Sequence, residues 1–201
     1  MVIRIIGGTA RGRRLKTPTG EATRPTSDRV REALFSSLEA ELGSLTGLRV
    51  LDLYAGSGAI GLEAMSRGAG VVTSVESNRR TAKLVQDNAA TLGFRKLEVL
   101  VQPVARALAH HPRAPYDVVF LDPPYPLDND EVERAVALLV AHEWLATGFV
   151  LVVERSARSG EPTWPAGLVR ERERAYGETL LWYVRADPHT TSQGDPDDAD
   201  R

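Results

Sequence analysis

The sequence predicts an α/β fold built on a mostly parallel sheet with helices on both faces. Three observations carry this. Near-continuous apolar segments at residues 48–53, 71–75, 97–101, 116–121 and 149–153 alternate with helical patterns. A glycine-rich turn, Gly56-x-Gly58-x-x-Gly61, follows the first of them and precedes a helix. Two further segments, 168–174 and 179–184, flank Tyr176-Gly177-Glu178 and read as an antiparallel hairpin.

The elements follow in order. Ile3, Ile5 and Ile6 among polar neighbours suggest a first strand, and Gly7-Gly8 a turn. A short strand covers residues 13–16, and residues 17–20 form a loop. Thr26-Ser27-Asp28 offers a helix N-cap, and Val30, Ala33, Leu34, Leu38 and Leu42 follow at helical spacing until Gly43 and Gly47. Strand 48–53 leads through the glycine turn into a helix over 60–67. Strand 71–75 ends at Glu76, and Asn78 caps a helix running to residue 92. Strands 97–101 and 116–121, a helix over 130–141 and strand 149–153 complete the alternation. Three units result: an N-terminal extension of hairpin and helix (1–46), the α/β body (47–186) and a tail (187–201). The tail is rich in Asp, Pro, Ser and Thr, with no aliphatic residue larger than alanine. It cannot bury enough surface to offset ordering and is expected to be disordered.

A length of 201 residues suits one large domain. The absence of cysteine excludes disulfides, thiolate metal sites and a thiol nucleophile. Four histidines, with His110-His111 in a polar loop, argue against a zinc centre, so no metal is expected. No apolar run approaches the ~20 residues that span a bilayer, and no signal-type stretch follows the basic start. The expectation is a soluble cytoplasmic protein.

The net charge of −2 hides an uneven distribution. Residues 1–31 carry eight basic side chains and two acids, and residues 187–201 carry five Asp against Arg201. Arg4, Arg11, Arg13, Arg14, Lys16, Arg24 and Arg29 form a footprint for a polyanion. The plainer alternative is a solvated face, with Asp28 paired to Arg31 or Arg24 at the helix start.

Two constellations carry chemistry. In the first, glycines at 56, 58 and 61 let the backbone turn tightly and approach a ligand. Dinucleotide enzymes use such a turn too. Asp52 stands four residues before the first glycine, where its carboxylate would point at the ligand and oppose a diphosphate. A sulfonium and an ammonium would welcome it. Glu76, 20 residues beyond Gly56, can accept hydrogen bonds from two ribose hydroxyls. A ribose joined to a cationic amino acid describes S-adenosylmethionine. In the second, Asp122-Pro123-Pro124-Tyr125 follows strand 116–121. Two prolines fix φ and remove two amide donors, so the Pro123 carbonyl is held beside the Asp122 carboxylate. Both are acceptors, and the exocyclic amine of a base has two N–H donors to offer them. Gripping both biases the nitrogen toward tetrahedral geometry, with its lone pair aimed at a methyl donor. Tyr125 can stack on the extruded base.

These motifs resemble the class I S-adenosylmethionine-dependent amino-methyltransferases. Together with Arg4-Ile-Ile-Gly-Gly8, Gly12-Arg-Arg-Leu15, the block from Arg24 to Phe35 and Tyr176-Gly-Glu-Thr-Leu180, the chain is similar to the bacterial 16S ribosomal RNA (guanine-N2)-methyltransferase D family. The resemblance implies a Rossmann-like seven-stranded sheet with an antiparallel last pair. It implies methylation of one guanine N2 of 16S ribosomal RNA, in a 30S subunit or assembly intermediate, by a monomer that binds no membrane. It places Asp52, Tyr54, Gly56, Ser57, Gly58, Glu76, Ser77, Gln102 and Val104 around the cofactor. Asp122, Pro123, Pro124 and Tyr125 hold the amine and base. Many class I enzymes bind the adenine amine through an acid or amide after the third strand; here that stretch is Gln102-Pro103-Val104. Arg155 is a further substrate candidate.

Other readings remain. The Asp-Pro-Pro-Tyr motif equally permits a DNA adenine-N6 methyltransferase, although little chain is left for a sequence-reading domain. A nicotinamide-dependent oxidoreductase leaves Asp52 and the two prolines unexplained. A non-catalytic nucleic-acid-binding protein would use only the basic arm.

Overall fold

The computed structural model describes residues 3–17, 27–124 and 128–190. The expected roles of Arg24 and Tyr125, and the greater part of the tail, fall outside them. The chain opens with β1 (Ile3–Arg4), a 3-10 turn (Gly8–Ala10) and β2 (Arg14–Leu15), then α1 (Asp28–Leu42). The body follows as β3 (Arg49–Leu53), α2 (Ala59–Ser66), β4 (Val71–Val75), α3 (Arg79–Leu92), β5 (Leu97–Leu100) and α4 (Val104–Ala107). It closes with β6 (Tyr116–Leu121), α5 (Asn129–Ala141), β7 (Leu145–Ser156), β8 (Leu168–Tyr176) and β9 (Thr179–Ala186).

Seven strands form one sheet in the order β5-β4-β3-β6-β7-β9-β8. The pairs from β5 to β7 are parallel; β9 joins β7 and β8 antiparallel. The expected sheet is therefore present. Both faces of its central strands β3, β4 and β6 are buried. Leu51, Val119 and Leu151 pack under α5 through Val132, Val136 and Leu139. Val50, Phe120 and Val152 alternate to the other face, under Leu34, Phe35 and Leu38 of α1 and Ile60 of α2. This period-two split explains why the strand segments read as continuously apolar.

Capping matches local chemistry. The Ser27 hydroxyl accepts the Val30 N–H, and the Asn78 amide oxygen accepts from Arg80 and Thr81. Two elements differ from expectation. Helix α4 is four residues long, too short to show periodicity. Strand β7 extends from residue 145 to 156, past the apolar run, and buries Glu154, Arg155 and Ser156.

The N-terminal extension docks on α2. Ile3, Ile5, Ala10 and Leu15 pack with Ala59, Leu62 and Ala89. The polar anchor is Glu63 of α2, with no exposed surface. Its carboxylate accepts the N–H groups of Ile6 and Gly7, both at 2.7 Å. Arg67 donates to it at 2.8 Å, and Arg31 of α1 stands 3.8 Å away. Arg31 is also fully buried, and donates to the Arg4 carbonyl at 2.6 Å and to Asp28 at 2.9 Å. The expected helix-start pair with Asp28 is thus made by Arg31. Gly7-Gly8 is more than a turn. Gly8 has φ +72°, and a Cβ there would stand 1.9 Å from the Ser66 carbonyl oxygen.

Removing Glu63 leaves the part-buried N–H groups of Ile6 and Gly7 unsatisfied and takes one carboxylate from the buried Arg31 and the part-buried Arg67. Glu63→Ala is expected to destabilise the fold by about 3 kcal/mol or more. Thermal unfolding reads the loss, and amide hydrogen exchange should accelerate first at Ile6 and Gly7. A near-native melting temperature would refute the assignment.

Candidate active site at the switch point of the sheet

Strand order reverses between β3 and β6, which lead to opposite edges of the sheet. A crevice at the carboxyl ends of such strands is the usual ligand position in open α/β sheets. Both motifs sit there. Leu53 pairs with Leu121 across the switch, and the Asp122 N–H donates to the Leu53 carbonyl at 3.5 Å. The glycine turn and the Asp-Pro-Pro segment are therefore held side by side.

The turn is built from the strand ends. Ala55 N–H donates to the Val75 carbonyl at 2.9 Å, and Gly58 N–H to the Ala55 carbonyl at 2.7 Å. Gly58 is the N-cap of α2 in left-handed conformation, and a Cβ would come 2.6 Å from Val85 of α3. Gly56, at φ +53°, meets only one atom within 4 Å, the Tyr54 carbonyl oxygen at 3.9 Å. So Gly58 is a packing glycine, whereas Gly56 leaves its side of the turn open.

Asp52 lies differently from expectation. It is 2% exposed, and its Oδ2 accepts the Gly61 N–H at 3.1 Å. Gly61 is in the first turn of α2, whose glycine N-cap has no side chain to satisfy that donor. Asp52 caps the helix from the neighbouring strand, so it lies beneath the turn rather than in the open crevice. Burial pushes its carboxyl up to about 7; the Gly61 N–H opposes this, and the carboxylates of Asp122 and Glu76 add to it. Glu76 is half-buried and braces the turn, accepting Gly56 N–H at 3.0 Å and Asn78 N–H at 2.7 Å. Each of its oxygens keeps acceptor capacity for a hydroxyl.

The remaining candidates divide. Tyr54 is half-buried with φ +62°, a strained conformation for an aromatic residue. Its phenol is pushed up to about 12 by burial and by Glu131, against the pull of Arg155. Its ring therefore serves the α5–β7 side of the crevice. Ser57 is half-buried and Ser77 exposed at the rim. Gln102 is half-buried after β5, but Val104 is buried in the core, so its side chain is a packing group. Pro123 is buried and Pro124 exposed. Arg155 is 7% exposed, with Nη2 3.3 Å from Asn129 Oδ1.

On the arm, Arg4, Arg11, Arg13, Arg14, Lys16 and Arg29 are all exposed or partly so, and Arg4 pairs with Asp28 at 3.4 Å. His110 and His111 lie at the surface, and His111 stands 3.4 Å from the Glu143 carboxylate. Sequence reasoning missed Glu63 and Arg67. The available signal was an acid inside the otherwise apolar Ala59–Ser66 helix.

Three carboxylates thus converge on the strand ends, one of them poised near neutrality. This donor set repels a diphosphate and suits a cationic ligand with ribose hydroxyls. S-adenosylmethionine fits that chemistry, with Gly56 leaving room beside Glu76.

The comparisons with known proteins agree with this geometry. The family described as Conserved hypothetical protein 95 matches residues 3–185. Ribosomal RNA small subunit methyltransferase D of Escherichia coli K12 is 36% identical over 193 residues, covering 96% of this chain and 94% of that protein. The solved structure of the Escherichia coli protein yhhF, a putative methyltransferase, superposes with a TM-score of 0.82 at 35% identity, covering 93% of this chain and 99% of that one. A hypothetical protein of Thermus thermophilus gives a TM-score of 0.73 at 32% identity, with 90% and 98% covered.

Asp52 supplies a pH test. Between pH ~4 and ~7 the folded chain keeps a proton that the unfolded chain has released. Its contribution to stability therefore falls as pH rises through that window. Asp52→Asn keeps an acceptor for Gly61 but does not titrate. Relative to wild type, the variant should gain several degrees of melting temperature on going from pH 5 to pH 8. A difference that does not change with pH would show that Asp52 is ionised throughout.

Proposed function

Because this chain belongs to the ribosomal RNA small subunit methyltransferase D family, we propose that it methylates small-subunit ribosomal RNA using S-adenosylmethionine, at the exocyclic N2 amine of one guanine. The observation that carries the reading is the juxtaposition at the switch point. The turn braced by Glu76 and the Asp122-Pro123 pair lie on adjacent strands, held in register by the Leu53–Leu121 pairing.

Bound at the glycine turn, S-adenosylmethionine supplies an electrophilic methyl group on a sulfonium. The chain does the rest by position and charge. Glu76 takes the ribose hydroxyls on its remaining lone pairs. Asp52 caps the Gly61 amide from below the turn and adds negative potential there only as it ionises, its carboxyl being pushed up to about 7. Asp122 and the Pro123 carbonyl take the two N–H bonds of the guanine amine, and Tyr125 stacks on the base. This turns the nitrogen lone pair out of the ring and toward the methyl group. The Asp122 carboxylate would also stabilise the positive charge that grows on nitrogen as the N–CH3 bond forms and the CH3–S bond breaks, with S-adenosylhomocysteine as the leaving group; one amine proton then passes to solvent. No covalent enzyme intermediate is needed.

Substrate placement falls to the N-terminal extension (1–46), led by its basic arm, with the body (47–186) holding cofactor and base. Arg11, Arg13 and Arg14 contact phosphates, giving salt-sensitive affinity with little sequence content. The working partner is 16S ribosomal RNA in a 30S subunit or its precursor, met by a cytoplasmic monomer.

Asp122→Ala should abolish methyl incorporation into immature small-subunit particles while leaving S-adenosylmethionine affinity within about twofold, read by calorimetry. Mapping the product by mass spectrometry should find N2-methylguanine; methyladenine in DNA would overturn the reading. Replacing Arg11, Arg13 and Arg14 with Gln should weaken RNA binding and reduce the slope of log K against log salt by about 2, at unchanged cofactor affinity. An unaltered slope would remove the arm from the RNA interface.

A further inference from the structure

The arm does not end the basic surface; it lies against α3. The backbone of Lys16 exchanges two hydrogen bonds with the Asn88 amide, each at 2.9 Å. The Arg13 guanidinium reaches the Thr91 carbonyl at 3.5 Å. On the solvent side of α3 stand Arg79, Arg80 and Lys83, all exposed, against one acid, Asp87. Residues 80, 83, 87 and 91 fall on one stripe of the helix. The Lys83 ammonium bonds the Asp87 carboxylate and holds its carboxyl below the usual range, with Lys16 adding to the effect. That acid stays ionised and offsets Lys83 alone, so Arg79, Arg80 and the arm keep a positive surplus.

Helix stability accounts for Lys83, through its i,i+4 pair with Asp87, but not for the two arginines. Arg79 and Arg80 occupy the first turn, where the helix dipole favours acids, and the first turn holds none. Neither arginine makes an ion pair among the described residues. Arg79 lies three residues beyond Glu76, at the rim of the crevice. From there α3 runs 14 residues, about 21 Å at 1.5 Å per residue, to the point where Arg13 joins it.

We propose that the outer face of α3 and the N-terminal arm form one phosphate track for the substrate RNA, with Arg80 and Lys83 as the α3 contacts. It rests on the RNA-methylation reading above, and it names a second surface that the substrate must touch. The track begins at the crevice rim, so an RNA strand seated on it enters beside Glu76 with its target base close to Asp122. Contacts of this kind position a substrate without reading its sequence.

The test uses the full chain with Arg80→Gln and Lys83→Gln combined. RNA affinity is measured by filter binding with 16S ribosomal RNA over a salt series, separately from turnover. The dissociation constant should rise about tenfold near physiological salt, and the salt slope should shrink by about 1.4 to 1.8 for two lost phosphate contacts. S-adenosylmethionine affinity and melting temperature should stay close to wild-type values. The charge-preserving pair Arg80→Lys and Lys83→Arg should restore affinity. Unchanged affinity and slope in the Gln variant would overturn the track. So would weakened binding to assembled particles with unchanged binding to naked RNA, which would make α3 a protein-contact face. A wild-type chain that binds RNA through these residues but methylates none would overturn the function reading and leave the track standing.

Discussion

Glu63 is a carboxylate with no contact with solvent, and three separate segments donate to it or pair with it: the arm through two N–H groups, α1 through Arg31 and α2 through Arg67. A buried charge is tolerated only when its lone pairs are occupied with good geometry. The arm, with few apolar side chains of its own, gains a fixed orientation from this requirement. Because α2 starts at the glycine turn, the same carboxylate makes the arm, the first helix and the turn one rigid body. The basic side chains of the arm are then presented at a set distance from the crevice, which a tethered flexible segment could not do.

The charge layout follows one principle. Negative groups are gathered inside, where Asp52, Glu76 and Asp122 share the strand ends and the latter two help to raise the Asp52 carboxyl. Positive groups are gathered outside, on the arm and along α3. Such a layout suits a cationic small ligand inside and a polyanion at the rim. Burial makes the inner field strong, because few waters screen it, whereas the outer field is exposed and sensitive to salt. Asp52 combines two tasks in this layout: it satisfies an orphan helix donor and so supports the glycine turn.

Much of the site was legible as sequence. The strand ends at Glu76 and Asp122, the caps at Ser27 and Asn78 and the antiparallel pair around Gly177 depend on neighbours within a few residues, and local chemistry records such dependence. Other features were hidden for physical reasons. With both faces of β3 buried, strand alternation gave no sign of which way Asp52 points. Val104, which the family resemblance places at the cofactor, is buried in α4, and a helix of four residues leaves no periodic trace. His111 gained a carboxylate neighbour, Glu143, from a segment far along the chain.

The sequence by itself determined the layer architecture, the order of its elements and the type of chemistry, because apolar period, glycine placement and the Asp-Pro-Pro segment are local properties. Only the tertiary structure decided what the charged residues do. Arg31 and Arg4 belong to the same basic run, yet one is sealed in the core and the other is mostly in water. Glu63 is one acid among many until three segments converge on it, and Lys16 joins α3 only through Asn88, 72 residues along the chain. A charge takes its role from its partners and its burial, and for these residues both are set by segments that meet only in the folded chain.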